Sequence, residues 1–203
     1  MNQVWQCHTS RICQLDTISA WYHLYNISKV RRLLTLDQTK TVIHAYVTSK
    51  IDSNNALLSG LPTCLLHKLQ LVQNAAARVV TRNKKGDHVT PLLIELHWLP
   101  VDKRILYKIM LTCFKALNDI GPIYISDLLT VSTPNRPGLR SDDDILQLVL
   151  PKTRLKTYGD RAFSYYAVYH WNRLPFSIRA SPTITTFKSR LKTHFFKDSF
   201  GAT

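Results

Sequence analysis

TCLLHKLQLVQNAAARVVT (63–81) decides the fold class of this chain. Leu65, Leu66, Leu69, Val72, Ala76, Val79 and Val80 recur at spacings of three, four and seven, which on a helix of 3.6 residues per turn gathers one apolar stripe. Ala75, Ala76 and Ala77 add high helix propensity and permit a neighbouring helix to come close. Gly60 and Pro62 punctuate the chain just before, and the polar run 83–87, with Gly86, closes it. The same period appears upstream. Residues 16–34 carry Ile18, Trp21, Tyr22, Leu24, Tyr25, Ile27, Val30, Leu33 and Leu34 as the apolar set of one helix. A second helix is predicted from Asp37, a good N-cap, through Val42, Ile43, Tyr46 and Val47 towards Leu58.

Downstream, Thr90 caps a short helix whose first residue is Pro91. Pro100 then opens the cleanest pattern. Ile105, Leu106, Ile109, Met110, Cys113, Phe114 and Leu117 form a double apolar lane, broad enough to be buried against two partners, so 101–117 is the expected central helix. Gly121 and Pro122 stop it, and 123–129 reads as a further short helix. Between 130 and 157, prolines 134, 137 and 151 exclude a regular helix. LQLVLP (146–151) reads as a strand, with 154–158 as its hairpin partner. An aromatic-rich helix over 160–171 and an amphipathic terminal helix with Phe187, Leu191 and Phe195 complete the chain. The expectation is a mainly α protein, a multi-helix bundle of roughly seven helices with at most a small β-hairpin near residues 145–158. Its organisation reads as an N-terminal tail (1–17), a helical region (18–129) and a C-terminal segment (130–203).

Composition narrows the function. Among 203 residues, 27 are Lys or Arg and 13 Asp or Glu, a net charge of +14 that points to a polyanionic partner. No stretch approaches the roughly 20 apolar residues that span a bilayer, so no membrane partner is expected. The start, MNQVWQCHTSRICQLD, lacks the apolar run of a secretory signal. Cys7, Cys13, Cys64 and Cys113 show no disulfide-framework spacing, which fits a reducing, intracellular location, nuclear or cytoplasmic.

Motifs of catalysis are missing from the sequence. There is no Gly-rich phosphate loop, no Gly-x-Ser-x-Gly elbow and no His-Glu-x-x-His helix. Glu95 is the only glutamate, so paired-carboxylate chemistry would fall to aspartates in loops or caps. Asp87 and His88 read as a solvated turn. Asp142, Asp143 and Asp144 follow Pro134, Pro137 and Gly138 with no apolar strand before them, and read as a solvated acidic loop. Cys7, His8 and Cys13, or Cys64 with His67, lack the second close ligand pair of a structural zinc site. No enzyme activity, cofactor or metal is expected.

Three fragments carry a family resemblance: LQLVQNAAARVV (69–80), ELHWLPVDKRILYKI (95–109) and RLKTYGDRAFSYYAVYHWNRLP (154–175). In this order they resemble the region C-terminal to the polymerase palm in the reverse transcriptase of non-LTR, LINE-type retrotransposons, jockey-like and related. HAYVTSKIDSNNALLSGLP (44–62), LTCFKALNDIGPIYISDLL (111–129) and FKSRLKTHFF (187–196) extend it over roughly 18–197. SNN (53–55) departs from it, where relatives tend to carry an aromatic and a Cys. The resemblance implies that 18–129 is thumb-like and 130–203 is the segment beyond the thumb. The implied partners are RNA, DNA or an RNA–DNA hybrid, held through phosphates, and a polymerase palm in a fuller protein. It implies no polymerisation. The Tyr-x-Asp-Asp turn between apolar strands, whose carboxylates hold two catalytic metals in that family, has no counterpart here. A protein-interaction module, or a decayed element copy without a function of its own, are the alternatives.

Phosphate contacts are expected from four basic clusters: Arg78, Arg82, Lys84 and Lys85; Lys103 and Arg104, with Lys108; Lys152, Arg154, Lys156 and Arg161; and Lys188, Arg190 and Lys192. The first is expected to dominate. The last is expected to matter less, since a terminal helix frays. Phe163, Tyr166 and Trp171, spaced as a core stripe, and His97 with Trp98 at the HWLP turn are read as packing residues rather than base platforms.

Overall fold

The computed structural model describes residues 2–53, 57–132, 146–155 and 159–201, with side chains from residue 14 onward. The chain is mainly α-helical. It forms two compact units, Met1–Ile105 with Ser199–Thr203, and Leu106–Asp198. The division falls inside the long helix at 105/106.

In the first unit, helix α1 spans Asn2–Val30. Residues 2–17, expected as a tail, are thus its first half. No glycine or proline occurs before Arg31, so no local signal interrupts the helix. Ala20, Leu24 and Ile27 are buried, whereas Ile18, Trp21, Tyr22 and Tyr25, read from sequence as part of the same apolar set, are exposed. A 3-10 turn (Arg31–Leu33) leads to α2 (Leu36–Ile43), a π-helical turn (His44–Thr48) and α3 (Ser49–Asp52). Thr35, rather than Asp37, caps this segment. The Gln38 N–H donates to Thr35 Oγ1 at 3.3 Å and the Thr35 N–H donates to Gln38 Oε1 at 2.9 Å, a capping box. Ile43, Val47 and Ile51 are its buried residues of largest apolar size.

Helix α4 (Thr63–Thr81) matches the predicted span and packs against α1, α2 and α5. Its buried face is Leu69, Val72, Gln73, Ala76, Ala77 and Val80. The one polar member is bonded. Gln73 Nε2 donates to the Leu99 carbonyl at 2.8 Å, and Gln70 Oε1 accepts the Val101 N–H at 2.9 Å. One helix therefore satisfies an orphan N–H at the start of the next, α6 (Val101–Leu117). The connection is α5 (Thr90–Glu95) and the HWLP turn. His97 adopts the left-handed conformation (φ 53°), and the His97 and Trp98 N–H groups donate to the Ile94 and Leu93 carbonyls at 3.0 and 2.9 Å. This is a Schellman close with histidine where glycine is usual. Trp98 is buried and His97 exposed.

The second unit contains the rest of α6, with α7 (Ile123–Ser126), α8 (Phe163–Trp171), α9 (Phe176–Arg179) and all but the last two residues of α10 (Ile184–Phe200). Its core is aromatic. Phe114 stacks on Phe187 with ring centroids 4.2 Å apart, and Trp171 stacks on Phe187 at 5.9 Å. Trp171 is buried as read from sequence, whereas Phe163 and Tyr166 are half-buried. The LQLVLP segment pairs upstream. Val131 and Leu148 form an antiparallel bridge, with Ser132 N–H to Gln147 carbonyl at 2.9 Å and Val149 N–H to Thr130 carbonyl at 2.8 Å. The other edge of Leu148 is held by a side chain. Asn172 Oδ1 accepts its N–H at 2.9 Å and Asn172 Nδ2 donates to its carbonyl at 2.8 Å, so one amide substitutes for a neighbouring strand. Residues 156–158 of the expected hairpin, and Asp142, Asp143 and Asp144, lie outside the described residues.

Candidate nucleic-acid interface

The carbonyl end of α4 organises the first basic cluster. Arg82 ends the helix in the left-handed conformation (φ 60°), and the Asn83 N–H returns to the Arg78 carbonyl at 3.1 Å. The remaining carbonyls are satisfied from a distance in sequence. Arg31, buried, donates from Nε to the Val79 carbonyl and from Nη2 to the Val80 carbonyl, both at 2.9 Å, and from Nη1 to the Leu34 carbonyl at 2.8 Å. A cation at this end also meets the negative pole of the helix. Burial, and then the neighbouring Arg82 charge, lowers the proton affinity of Arg31. Two neighbouring guanidinium cations repel.

The loop that follows is shaped by Asp87. Its Oδ2 accepts the Lys84 N–H at 2.8 Å and Asn83 Nδ2 at 3.3 Å, while its carbonyl accepts Arg78 Nη2 at 3.0 Å. Asp87 is thereby occupied with turn geometry, and His88 beside it is exposed. Arg78 is half-buried, and its Nε is buried without a hydrogen-bond partner. Arg82, Lys84 and Lys85 are exposed and, among the described residues, form no ion pair. Two cations of this region therefore serve the fold, and three are surplus to it.

Beside the cluster, α1 and α4 enclose an open groove of about 650 Å³. Trp21, Leu71, Ala75 and Val79 supply its apolar wall. Arg31, Arg78, Arg82 and Lys85 line the same groove, and none of the described residues lining it is acidic. Trp21 retains 43% exposure. Sequence reading counts it in the apolar set of the helix over 16–34, and that set is wider than the buried face of α1, Ala20, Leu24 and Ile27.

The other predicted contacts separate by environment. Arg104 is committed to Asp52, with Nε donating to Oδ1 at 3.0 Å and Nη2 pairing with Oδ2. That bidentate pair removes it from the candidate phosphate contacts. Lys103 beside it is half-buried. In the second unit Lys152, Arg154 and Lys108 are exposed, Arg161 is half-buried, and Lys156 lies outside the described residues. Lys188, Arg190 and Lys192 are exposed on α10, where Arg190 Nη1 donates to the Ser177 carbonyl at 2.6 Å. Fraying does not describe that helix, since Phe187, Leu191 and Phe195 anchor it in the core.

Among the described residues no three His, Cys, Asp or Glu side chains converge as metal ligands. The side chains of Cys7, His8 and Cys13 lie outside the described set. Burial pushes the Cys113 thiol up, away from the reactive thiolate. Among the described residues no helix is long and apolar enough to cross a membrane. No protein-family model, curated protein or solved structure matches the chain.

Proposed function

We propose that the chain is the thumb-like and post-thumb part of a LINE-type reverse transcriptase, without catalytic residues of its own, and that it binds nucleic-acid backbones independently of sequence. The family reading rests on the six ordered fragments described above. The binding reading rests on one observation: Arg82, Lys84 and Lys85 stand exposed at the end of α4 and form no ion pair among the described residues, after Arg31 and Arg78 have met the needs of the local fold. Lysine and arginine in that state are free to replace the counterions of a phosphate chain. A +14 chain has more positive charge than colloidal stability requires, which is a net magnitude of roughly 2–8 for a small domain.

Titration of labelled single-stranded RNA at several salt concentrations tests this. Arg82→Gln, Lys84→Gln and Lys85→Gln together should weaken binding about equally for unrelated sequences and flatten the salt dependence by roughly 0.7 to 0.9 per lost contact. An unchanged slope would remove the α4 end as the contact surface. A change produced instead by neutralising Lys188, Arg190 and Lys192 would move the surface to α10.

One observation favours a second reading, a protein-interaction face. Leu15, Ile18, Tyr22 and Tyr25 are each at least 60% exposed along α1. Contiguous apolar exposure of this kind marks partner surfaces, and salt-insensitive failure to bind any nucleic acid would bring that reading forward.

A further inference from the structure

Building on that phosphate-binding reading, we infer that the α1–α4 groove accepts an unpaired base stacked on Trp21, so that the chain prefers single-stranded nucleic acid to duplex. The groove volume of about 650 Å³ lies within the roughly 300–1,000 Å³ of small-ligand sites. Its apolar wall and exposed indole ring match the face of a base, which in a duplex is covered by its neighbours in the stack.

The charged side of the groove fits the same occupant. Arg82 and Lys85 line it exposed and, among the described residues, without ion pairs, so two successive phosphates of a strand would meet them in turn, more charge than the single head group of an anionic amphiphile would neutralise. Two details of the cluster favour an incoming anion. Arg31 and Arg82 repel each other, and an anion near both relieves the repulsion. Arg78 holds a buried Nε donor without a partner among the described residues, and a phosphate reaching it would satisfy it while Nη2 keeps the Asp87 carbonyl.

The experiment compares a labelled oligothymidylate with a blunt duplex of equal length, at one salt concentration, on the full chain and on Trp21→Ala and Trp21→Phe. The single strand should bind about 5- to 150-fold more tightly, the worth of one stacked base. Trp21→Ala should abolish that margin, Trp21→Phe should keep most of it, and neither should change duplex affinity or the salt slope. Far-UV circular dichroism of both variants keeps a folding defect from imitating the result, and the phenylalanine variant retains the ring if alanine fails to fold. Equal affinity for both nucleic acids, or an alanine variant that weakens both alike, overturns base stacking while leaving phosphate binding intact. Loss of all salt-sensitive binding overturns both readings. Uptake of a labelled fatty acid without uptake of oligonucleotide assigns the groove to an amphiphile and overturns the inference.

Discussion

The two compact units hold their helices together by different means. Between Leu106 and Asp198 the core is a stack of large rings, Phe114, Trp171 and Phe187, each at most 2% exposed. In the first unit the face of α4 is short-chained, with Ala76, Ala77, Val72 and Val80, and long-range polar bonds complete the fixation. Arg31 holds the end of α4, Gln70 and Gln73 hold the HWLP turn, and Arg104 holds Asp52. Small side chains let helix backbones approach but bury little apolar area per residue, so directional bonds must fix the geometry. The cost of that arrangement is a population of cations near the surface, and the candidate interface grows out of it.

Perturbing each kind of fixation sharpens the contrast. Phe187→Ala should cost about 3–5 kcal/mol, because α10 loses the ring that touches both Phe114 and Trp171. Urea denaturation followed by circular dichroism measures it. A smaller effect, about 1–3 kcal/mol, is expected from Gln73→Leu, which leaves the Leu99 carbonyl without its donor. If that loss equals the Phe187 loss, or vanishes, the distinction between ring stacking and polar pinning fails.

Arg82→Gly should act in the opposite direction on stability. Removing a Cβ from a left-handed position should gain about 1 kcal/mol, while nucleic-acid binding weakens. A variant that both unfolds more easily and binds less would show that Arg82 serves the fold after all. The smallest effect concerns acid. Desolvation, then the Arg104 charge, lowers the proton affinity of His44, against an opposing pull from Asp52. The folded state thus binds fewer protons there than the unfolded state, so stability should fall modestly as pH drops below about 6.5. His44→Gln should flatten that part of the urea-midpoint profile, and an unchanged profile would place the acid sensitivity elsewhere.

Most helices were legible because their stripes are local. Helix α4 and helix α6 lie where the period of Leu69, Val72 and Ala76, or of Ile105, Ile109 and Phe114, puts them. The capping box of Thr35 and Gln38 was equally local, yet Asp37 masked it by being a good cap residue one step further on. Helix α9 is not legible in the sequence, because a helix of four residues is too short to carry a period. The start of α1 was missed for a related reason, since a helix without a clear stripe resembles a tail.

The candidate site was legible in part. Arg78, Arg82, Lys84 and Lys85 were found because a polar break after an apolar helix exposes its charges. Their division into structural and surplus cations was not legible, because Arg31 reaches α4 from 48 residues away. The exposure of Trp21 within the apolar set of α1 is illegible for the same reason. Periodicity reports which residues share a face of a helix, and tertiary neighbours decide how much of that face is covered. Arg104 likewise looked available until Asp52, 52 residues upstream, met it.

The π-helical turn at His44–Thr48 has a consequence for the length of the chain there. In a regular α-helix a lane of residues four apart drifts by about 40° per step, so Ile43, Val47 and Ile51 would spiral away from a straight contact line. A widened turn counter-rotates the lane, and all three remain buried. Deleting one residue between 44 and 48 would leave an unbroken α-helix, yet it would swing everything beyond by about 100°. Ile51 would then leave the core, and the carboxylate of Asp52 would leave Arg104. Exposed side chains there, such as Ala45 and Tyr46, could change without moving that lane, but a change in the number of residues would move it. The segment works as a counter, with tolerance for spelling and none for length.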